Sequence, residues 1–398
     1  MPRFEPFAAV RYNPDRVDLA DVVAPPYDVI GPDELVRLEQ RSPYNVVRVD
    51  LPREEAARPR YEAARCLFDE WIAEDVLIAD PEPGFYVYRM GWRDDEGRPR
   101  QTSGVLGAVE LDAAGAGSVL PHERTMSKPM DDRLRQLRAC RANVSPIWGL
   151  SLATGLTAAA EPTTAPIVRF TDDDGVHHRL WRLTAPAALE AIAATAGSAP
   201  VVIADGHHRY ETALAYRAER RAANGDQPGP YDLVLAYLVE LAEEELGLRP
   251  IHRLLSDLPD GFALLDALST SFSVEHAGPP DGDLPHRMAS SGALGLVVDG
   301  TAYLLRPRPP AEASVDVDSA LLEAALETLP PHTVTYHHDI DHVLALLDKG
   351  EAQAAIVLRP MTVAQIASAA RAGRRMPQKT TFFHPKLRTG LVFRFLDG

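Results

Sequence analysis

The chain has 398 residues, 45% of them hydrophobic and 25% charged, which is the composition of an ordinary globular protein of two or three domains. Its formal net charge of −16 argues against a broad surface for duplex nucleic acid or for an anionic membrane, because both need clustered basic side chains. The N-terminal residues do not resemble a signal peptide, and no apolar run has the length of a membrane span. With only two cysteines, far apart in sequence, we expect a cytoplasmic protein with no disulfide framework and no membrane partner.

Hairpins and helices alternate in the first third of the chain. Alternating apolar residues predict a strand at 46–51, and an apolar stripe predicts a helix at 54–75. Residues 85–92 and 102–111 flank an Asp-Asp-Glu-Gly turn and predict a hairpin. In the stretch 119–150, a loop rich in polar groups precedes a strongly basic helix.

The middle third begins with residues 152–165, which have few large apolar side chains and are typical of a linker or mobile loop. A second hairpin is predicted at 167–183, with Asp-Asp-Gly in its turn, and a helix near 187–197. Residues 201–205 then form a predicted buried strand that leads directly into a helix, and a further strand is predicted at 233–241.

In the last third, Pro and Gly clusters at 275–292 and 306–316 are typical of surface connections, and the segment between them predicts a hairpin with Asp-Gly in its turn. The remaining predicted elements are a helix at 318–329, a strand at 354–359 and a helix at 362–373. Hairpins interrupt the alternation of strands and helices, so we predict a mixed α/β (α+β) fold with several short mixed sheets. We divide the chain into three sections, 1–118, 119–260 and 261–398.

The densest cluster of chemically active side chains follows the strand at 201–205. It consists of five residues at a predicted helix start, Asp205, Gly206, His207, His208 and Arg209. A helix start presents unpaired backbone N–H groups and the positive end of the helix dipole. Glycine allows close approach of the backbone, and the arginine adds a fork of donors, so this composition is that of a phosphate cradle. Asp205 is a catalytic candidate, and an aspartate at this point can cap the helix, hold a metal ion, or both. The simpler alternative is a capped helix with ordinary polar surface histidines.

Six long motifs resemble the bacterial and archaeal family catalogued as domain of unknown function 1015, and together they extend over nearly the whole chain. They are APPYDVI (24–30), SPYNVVRVDLP (42–52), LPHERTMSKPMDDRLRQLRACRANVSPIW (120–148), ADGHHRYETAL (204–214), RPIHRLL (249–255) and MPQKTTFFHPKLRTGLVF (376–393).

The Asp-Gly-His-His-Arg element by itself also resembles the motif of free-serine kinases, which have a ParB/sulfiredoxin-like fold. This resemblance implies a ParB/sulfiredoxin-like core in the section 119–260, with nucleotide phosphates against Gly206–Arg209. In those kinases a glutamate elsewhere in the chain acts as base on the substrate hydroxyl. One sequence cannot match that glutamate to a position by motif alone.

The loop 120–129 is the best candidate to supply the base. Phosphoryl transfer needs positioning and charge neutralisation more than covalent work by the protein. Glu123 can accept the proton of an attacking hydroxyl, beside His122 as a further catalytic candidate. Arg124 can bind substrate, and Lys128 can balance phosphate charge. The alternative is a loop held only by salt bridges.

Other candidates lie elsewhere in the motifs. The helix after the loop carries Arg133, Arg135, Arg138 and Arg141, which form either a solvated face or part of a nucleotide site.

Lys379 stands beside two threonines and suits phosphate capture, with an ordinary turn as the alternative. Tyr27 and Asp28 follow two prolines and can bind substrate, although Asp28 could instead cap the helix that starts near Pro32. His252, at the end of a predicted strand, can face the same cleft.

We therefore expect a kinase that uses ATP or ADP and phosphorylates a small polar metabolite, an amino acid being the candidate by analogy. Mg²⁺ bridging the phosphates, held by Asp205, leaves little trace in a sequence. The histidines at 337, 338 and 342 invite comparison with a zinc site, but neither an HExxH motif nor a cysteine cluster supports one. The alternative function is a nucleotide-binding regulatory protein of ParB-like type that hydrolyses slowly or not at all.

Overall fold

The computed structural model describes residues 1–54, 59–94, 96–112, 117–121, 127–308, 318–373 and 379–397. The chain divides into two compact units. The first unit contains residues 1–247 together with 385–398, and the second contains residues 248–384. The borders of the three predicted sections, 118/119 and 260/261, differ from the borders of these units.

The first unit is built on one mixed sheet of nine strands. Its strands are β1 (Phe4–Glu5), β4 (Phe85–Arg93), β5 (Pro99–Glu110), β6 (Val119–Pro121), β8 (Ile147–Ser151), β9 (Val168–Thr171), β10 (His177–Leu183), β11 (Val201–Asp205) and β12 (Leu233–Glu240). The order is β6-β11-β8-β12-β5-β4-β10-β9, and β1 pairs with β5. Strand β11 is parallel to β6 and antiparallel to β8, whereas β8 is parallel to β12. Two small ladders complete the unit, β2 (Val10–Tyr12) with β3 (Leu77–Ala79) and β7 (Ala142–Asn143) with β21 (Arg394–Phe395).

Eight α-helices belong to the described part of the first unit. They are α1 (Leu19–Val22), α2 (Pro32–Arg41), α3 (Val47–Asp50), α4 (Arg60–Ala73), α5 (Ser127–Cys140), α6 (Leu156–Ala159), α7 (Pro186–Ala196) and α8 (His207–Ala223). Ile192 of α7 and Tyr210 and Ala213 of α8 are buried in the same core cluster as Val201 and Ile203 of β11. This packing fixes the end of β11 and the start of α8 relative to the sheet.

The second unit is a six-stranded sheet with the order β15-β17-β16-β19-β14-β18. The strands are β14 (His252–Ser256), β15 (Phe272–Gly278), β16 (Leu294–Val298), β17 (Thr301–Pro307), β18 (Thr333–His337) and β19 (Ala354–Val357), and β13 (Gly247–Arg249) pairs with β20 (Phe382–His384). The helices are α9 (Leu264–Leu268), α10 (Leu284–Ser291), α11 (Asp318–Leu326), α12 (Ile340–Asp348) and α13 (Val363–Arg371). Successive residues Leu304 and Leu305 join different core clusters, because side chains of a strand alternate between the two faces of the sheet.

The mixed α/β class with several sheets and hairpins is confirmed. All three predicted hairpins form, as β4–β5, β9–β10 and β16–β17. In the last of these, Asp299 (φ 49°) and Gly300 (φ 69°) both adopt the left-handed conformation that a type I′ turn requires. Within the described ranges, no helix is both long and apolar enough to cross a membrane.

The predicted strand at 46–51 is wrong, because Val47–Asp50 forms the short helix α3. The Oδ1 atom of Asn45 accepts the N–H of Val47 at 3.0 Å, and its Nδ2 donates to the carbonyl of Asp21 at 2.7 Å. This buried side chain starts the helix. Val46, Val47 and Val49 are all fully buried. Their spacing therefore reflects burial on several sides of a short helix, and not the alternation of a strand.

Two predicted connections are also ordered elements. The predicted linker at 152–165 contains α6, whose Leu156 is buried in the core, and Glu240 accepts the N–H of Gly155 at 3.0 Å. The predicted surface connection at 275–292 contains the end of β15 and the whole of α10, whose Leu284 and Met288 are buried. Most of the other connection, 306–316, lies outside the described residues.

Gly107 in β5 allows the sheet to pack against aromatic rings, and we expect Gly107→Ala to destabilise the protein. A Cβ atom there would lie 2.4 Å from Cζ of Phe4 and 2.8 Å from Cε1 of Phe85, and all three residues are part of or pressed against the core. Overpacking of this kind lowers the free energy of unfolding by about 1–3 kcal/mol. Urea denaturation followed by circular dichroism measures it.

The matched control is Gly91→Ala in the partner strand β4, where the nearest atoms to a new Cβ are 3.9 Å away. This variant should be as stable as the wild type. Equal losses in both variants would contradict the packing argument.

Candidate functional site

Gly206 turns the end of strand β11 into the start of helix α8. Its backbone is left-handed (φ 88°, ψ 28°), and its carbonyl accepts the N–H of Tyr210 at 3.0 Å, which begins the helix. A side chain at this position would be strained, and its Cβ would lie 2.9 Å from Nε of Arg209. Glycine therefore lets the Arg209 guanidinium lie against the backbone at the start of α8.

Asp205, the last residue of β11, contacts two cationic side chains. Its Oδ2 lies 2.7 Å from Nζ of Lys386, and its Oδ1 lies 3.4 Å from Nη2 of Arg209. Burial alone would raise the pKa of this carboxyl group, but Lys386 and Arg209 outweigh burial and hold the pKa well below its usual value. The carboxylate stays ionised at neutral pH, and the three side chains together carry one net positive charge.

Arg209 folds back onto the protein. Its Nη1 donates to the carbonyl of Pro146, and its side chain is 12% exposed. Its Nε is buried and has no hydrogen-bond partner among the residues that the structure describes. The guanidinium is thus held in one orientation with a donor that is unsatisfied.

A second charged cluster surrounds Arg133 in helix α5. Its Nη1 donates to the Asp50 carbonyl at 2.8 Å and to Oδ1 of Asp50 at 3.1 Å, and its Nη2 donates to the Tyr61 hydroxyl at 3.1 Å. Both Arg133 and Asp50 are buried, with 5% and 3% of their side chains exposed. Gln136, one turn further along α5, donates to the Val49 carbonyl at 2.8 Å. This network joins α5 to the short helix α3.

Tyr27 brings the predicted substrate residues to this cluster. The guanidinium carbon of Arg133 lies 4.4 Å from the centre of the Tyr27 ring. Burial raises the pKa of the Tyr27 hydroxyl, and among its charged neighbours Arg209 lowers that pKa while Asp28 raises it. Tyr27 is therefore close enough to Arg209, Asp28 and Asp50 for their charges to influence its hydroxyl group. Asp28 does not cap α2, whose N-cap is Gly31.

Several other predicted residues fall in different places. His207, in the first turn of α8, is 8% exposed, and His208 is half-buried. His122, Glu123 and Arg124 lie outside the described residues, as does the side chain of Lys128.

Lys379 and His252 belong to the second unit, where Lys379 is exposed with φ 55° and His252 is 3% exposed. Arg138 of α5 pairs with Glu219 at the surface, and Arg141, just after the end of α5, pairs with Asp397, as on a solvated face.

The described residues do not fit a resident Mg²⁺ or Zn²⁺. Among them, no group of three or more histidine, cysteine, aspartate or glutamate side chains could hold a metal ion. Each oxygen of Asp205 already contacts a cationic side chain. The rings of His337 and His342 are 5.2 Å apart, but His338 between them in sequence stacks on Phe382 at 4.1 Å.

Lys386 is the site residue that the sequence prediction missed, since it favoured Lys379 in the same motif. Residue usage offers a partial signal, which Lys386 shares with Lys128 and Lys379. The 41 basic residues include only four lysines, at positions 128, 349, 379 and 386, so the chain uses arginine almost everywhere else. Lysine and arginine are not interchangeable at sites that bind phosphate, and a rare lysine inside a motif therefore marks a candidate.

The model of the family described as "Protein of unknown function (DUF1015)" matches residues 4–339. The chain belongs to this family. A search of curated proteins finds no match for this DUF1015 protein.

Solved structures similar to it include a conserved hypothetical protein from Pyrococcus furiosus, at 15% identity and a TM-score of 0.40, covering 74% of this chain and 96% of that one. A free serine kinase in complex with AMP is 15% identical, with a TM-score of 0.39 and coverage of 73% and 92%. SbnI with a C-terminal truncation from Staphylococcus aureus is 10% identical, with a TM-score of 0.39 and coverage of 73% and 87%.

At these TM-scores the likeness to the solved structures supports no conclusion about this chain. The ParB/sulfiredoxin-like core stays a prediction from the Asp-Gly-His-His-Arg motif.

Arg133→Met should lower the free energy of unfolding by about 3–5 kcal/mol, because it leaves the Asp50 carboxylate buried without its cation. The matched control is Arg138→Met in the same helix, which breaks an exposed pair with Glu219 and should cost about 1 kcal/mol or less. Urea denaturation of both variants measures the difference. Similar losses in the two variants would show that the Arg133 cluster is not a buried ion pair in solution.

His252 should make stability depend on pH. Burial, followed by the charge of Arg253, lowers its pKa to about 4, and its Nδ1 accepts the N–H of Leu358 at 3.2 Å, which only the unprotonated atom can do. In the unfolded chain its pKa is about 6.5, so that state binds a proton more readily. Stability is therefore complete above about pH 6.5, and about 2 kcal/mol is lost as pH falls to 5.

Unfolding free energies of the wild type and His252→Asn between pH 5 and 7 test this, with His286→Asn as the control at an exposed position of the same unit. His252→Asn should flatten the pH dependence, and His286→Asn should not. Parallel pH curves for the wild type and His252→Asn would contradict the assignment.

Proposed function

We propose that this protein binds the phosphates of a nucleotide at the start of helix α8 and transfers a phosphoryl group to the hydroxyl of a small polar metabolite. The observation that carries the proposal is the left-handed Gly206 with Arg209 and Lys386 on either side of Asp205. The first amides of a 17-residue helix have no partner within the helix, and an anion is stabilised there. The unsatisfied Nε of Arg209 and the net charge of +1 fit a phosphate group.

The bound nucleotide would supply the phosphoryl group. A bond forms between the acceptor oxygen and the terminal phosphorus, the bond from that phosphorus to the bridging oxygen breaks, and the hydroxyl proton passes to a base. The helix amides, Arg209 and Lys386 would neutralise the phosphate charge. Strand β6 is parallel to β11 and ends at Pro121, which pairs with Ile203, two residues before β11 ends at Asp205. Glu123 follows two residues later in the sequence and is our candidate for the base.

Tyr27 and Asp28 are the candidates for binding the acceptor. Tyr27 is half-buried and its hydroxyl is influenced by the charge of Arg209, whereas the next residue, Asp28, is exposed. The hydroxyl group can donate or accept a hydrogen bond and the carboxylate can accept one from a small polar molecule. Asp28 would attract an amino group if the acceptor is an amino acid, the class implied by the motif.

A second candidate function is nucleotide binding without transfer, as in a regulatory protein. Asp205 already engages both Arg209 and Lys386, so a phosphate must compete with an internal carboxylate for them. Such a site can recognise a nucleotide and still lack the arrangement for catalysis.

Arg209→Ala should weaken binding of ADP or ATP by about 10–100-fold, because a charge-assisted hydrogen bond to phosphate contributes about 1.5–3 kcal/mol. The control is Arg220→Ala, an exposed arginine near the far end of the same helix, which should bind as the wild type does. Isothermal titration calorimetry with and without Mg²⁺ measures the affinity. Equal affinities of Arg209→Ala and the wild type would rule out this phosphate site.

A screen of the wild type with ATP or ADP, Mg²⁺ and pools of amino acids and sugars separates the two functions. Formation of a phosphorylated product, lost in Glu123→Gln, supports the kinase. Tight, Arg209-dependent binding without any product supports the regulatory protein. If neither nucleotide binds, both candidates are wrong.

A further inference from the structure

Lysine is so rare in this chain that its presence beside Asp205 needs a chemical reason. Arginine makes ion pairs elsewhere, as in the Arg359–Asp318 pair at 2.6 Å and the buried Arg133–Asp50 pair at 3.1 Å. At position 386 the chain has lysine, whose Nζ is 2.7 Å from Oδ2 of Asp205. We propose that Lys386 is a phosphate-contacting residue of the nucleotide site and that Arg388 is the residue that positions it. This inference rests on the proposed function.

The position of Lys386 suits contact with a phosphoryl group. Asp205 immediately precedes Gly206, so the ammonium group lies next to the start of α8 where the phosphates are proposed to bind. The side chain is 20% exposed, which leaves it accessible to a ligand. An ammonium group is a compact point charge on a flexible stem, and it can move from a carboxylate to a phosphate oxygen by small rotations, whereas a planar guanidinium keeps a fixed fork.

The side chain of Arg388, two residues after Lys386, is clamped to the β9–β10 turn. Its Nε donates to Oδ2 of Asp172 at 2.9 Å, and its Nη2 donates to Asp172 and, at 3.1 Å, to Oδ2 of Asp174. Asp172 is itself fixed, since its Oδ1 accepts the N–H groups of Asp174 and Val176 at 3.0 and 2.9 Å. Arg388 is 11% exposed and Asp172 is 8% exposed, so solvent screens this pair weakly.

A buried chain of hydrogen bonds extends the clamp into the sheet. Nε2 of His178 lies 2.8 Å from Oδ2 of Asp172, and its Nδ1 lies 2.7 Å from the Tyr88 hydroxyl. Burial lowers the pKa of His178, so the neutral ring donates from Nε2 to the carboxylate and accepts from Tyr88 at Nδ1. Both His178 and Tyr88 are 1% exposed. The clamp therefore rests on rigid strands, β4 and β10, and not on a surface turn alone.

The backbone after Arg388 is held as well. The N–H of Thr389 donates to the carbonyl of Ala24 at 2.8 Å, and the N–H of Ala24 donates back to Thr389 at 3.1 Å. Ala24 stands three residues before Tyr27, so the same segment ties Lys386 to the proposed acceptor residues. Residues 388 and 389 are thus both held, two and three residues after Lys386.

Amine labelling tests the contact, because the chain has only four lysines and each can be followed by mass spectrometry of its peptide. Acetic anhydride at low stoichiometry is applied to the wild-type protein with and without saturating ADP, and with inorganic phosphate as a second probe. We expect ADP to slow labelling of Lys386 by at least fivefold and to leave the exposed Lys349 unchanged as an internal control. Lys386→Met should weaken ADP binding by about 10-fold or more, with partial recovery in Lys386→Arg.

Arg388→Met tests the positioning role without any ligand. Loss of the clamp should change the labelling rate of Lys386 severalfold and weaken ADP binding, while Arg388→Lys should lie between the variant and the wild type. The control is Arg41→Met, which removes an ion pair to Asp173 in the same turn and should change neither quantity. If Arg388→Met does not fold, Arg388→Lys and Asp172→Asn give the same comparison.

Distinct outcomes would overturn distinct claims. If ADP binds and depends on Arg209, but Lys386 is labelled at the same rate with ADP bound, the phosphate contact is wrong and the proposed function stands. If Arg388→Met leaves Lys386 labelling unchanged, the positioning role is wrong. If no nucleotide binds the wild type, the proposed function fails and the phosphate contact of Lys386 fails with it, while the ligand-free labelling still decides whether Arg388 positions Lys386.

Discussion

The carboxylate of Asp205 joins parts of the chain that are far apart in sequence. It ends a buried strand, it precedes the glycine that starts a helix, and it pairs with one cation four residues later and another 181 residues later. Removing a carboxylate from water is costly unless charged partners compensate, and Lys386 and Arg209 both lower the pKa of Asp205 and so favour its ionised form. In return, Asp205 holds two cations close together that would otherwise repel each other. Because one carboxylate is paired with two cationic side chains, the three groups together keep a net charge of +1.

In the second charged cluster, too, a buried charge is compensated by polar and charged partners. Arg133 is buried only because Asp50, Asp132 and the Tyr61 hydroxyl surround it. It lies close to Tyr27, whose hydroxyl is also influenced by the charge of Arg209. In both clusters an arginine with little exposure is paired with an aspartate of the first unit.

The predictions from the sequence were correct for features that depend on residues close together in the chain. The turn after β11, the three hairpins and the basic helix α5 depend on glycine, on Asp-Gly pairs and on side-chain spacing within about ten residues. Prediction failed at 46–51 because the buried side chain of Asn45, bonded to a backbone 24 residues away, decides the conformation there. It missed Lys386 for the same reason, since nothing near that residue in sequence indicates Asp205. Long-range partners are set by the fold, and one sequence without relatives does not reveal them.

The first unit contains both ends of the described chain, with the whole second unit inserted between residues 247 and 385. During synthesis the ribosome must therefore produce the complete second unit before Lys386, Arg388 and the last strand emerge. Until then Asp205 lacks one of its two cations and strand β7 lacks its partner β21. The Asp205–Lys386 ion pair therefore forms only after residues 248–384, the whole second unit, have been synthesised.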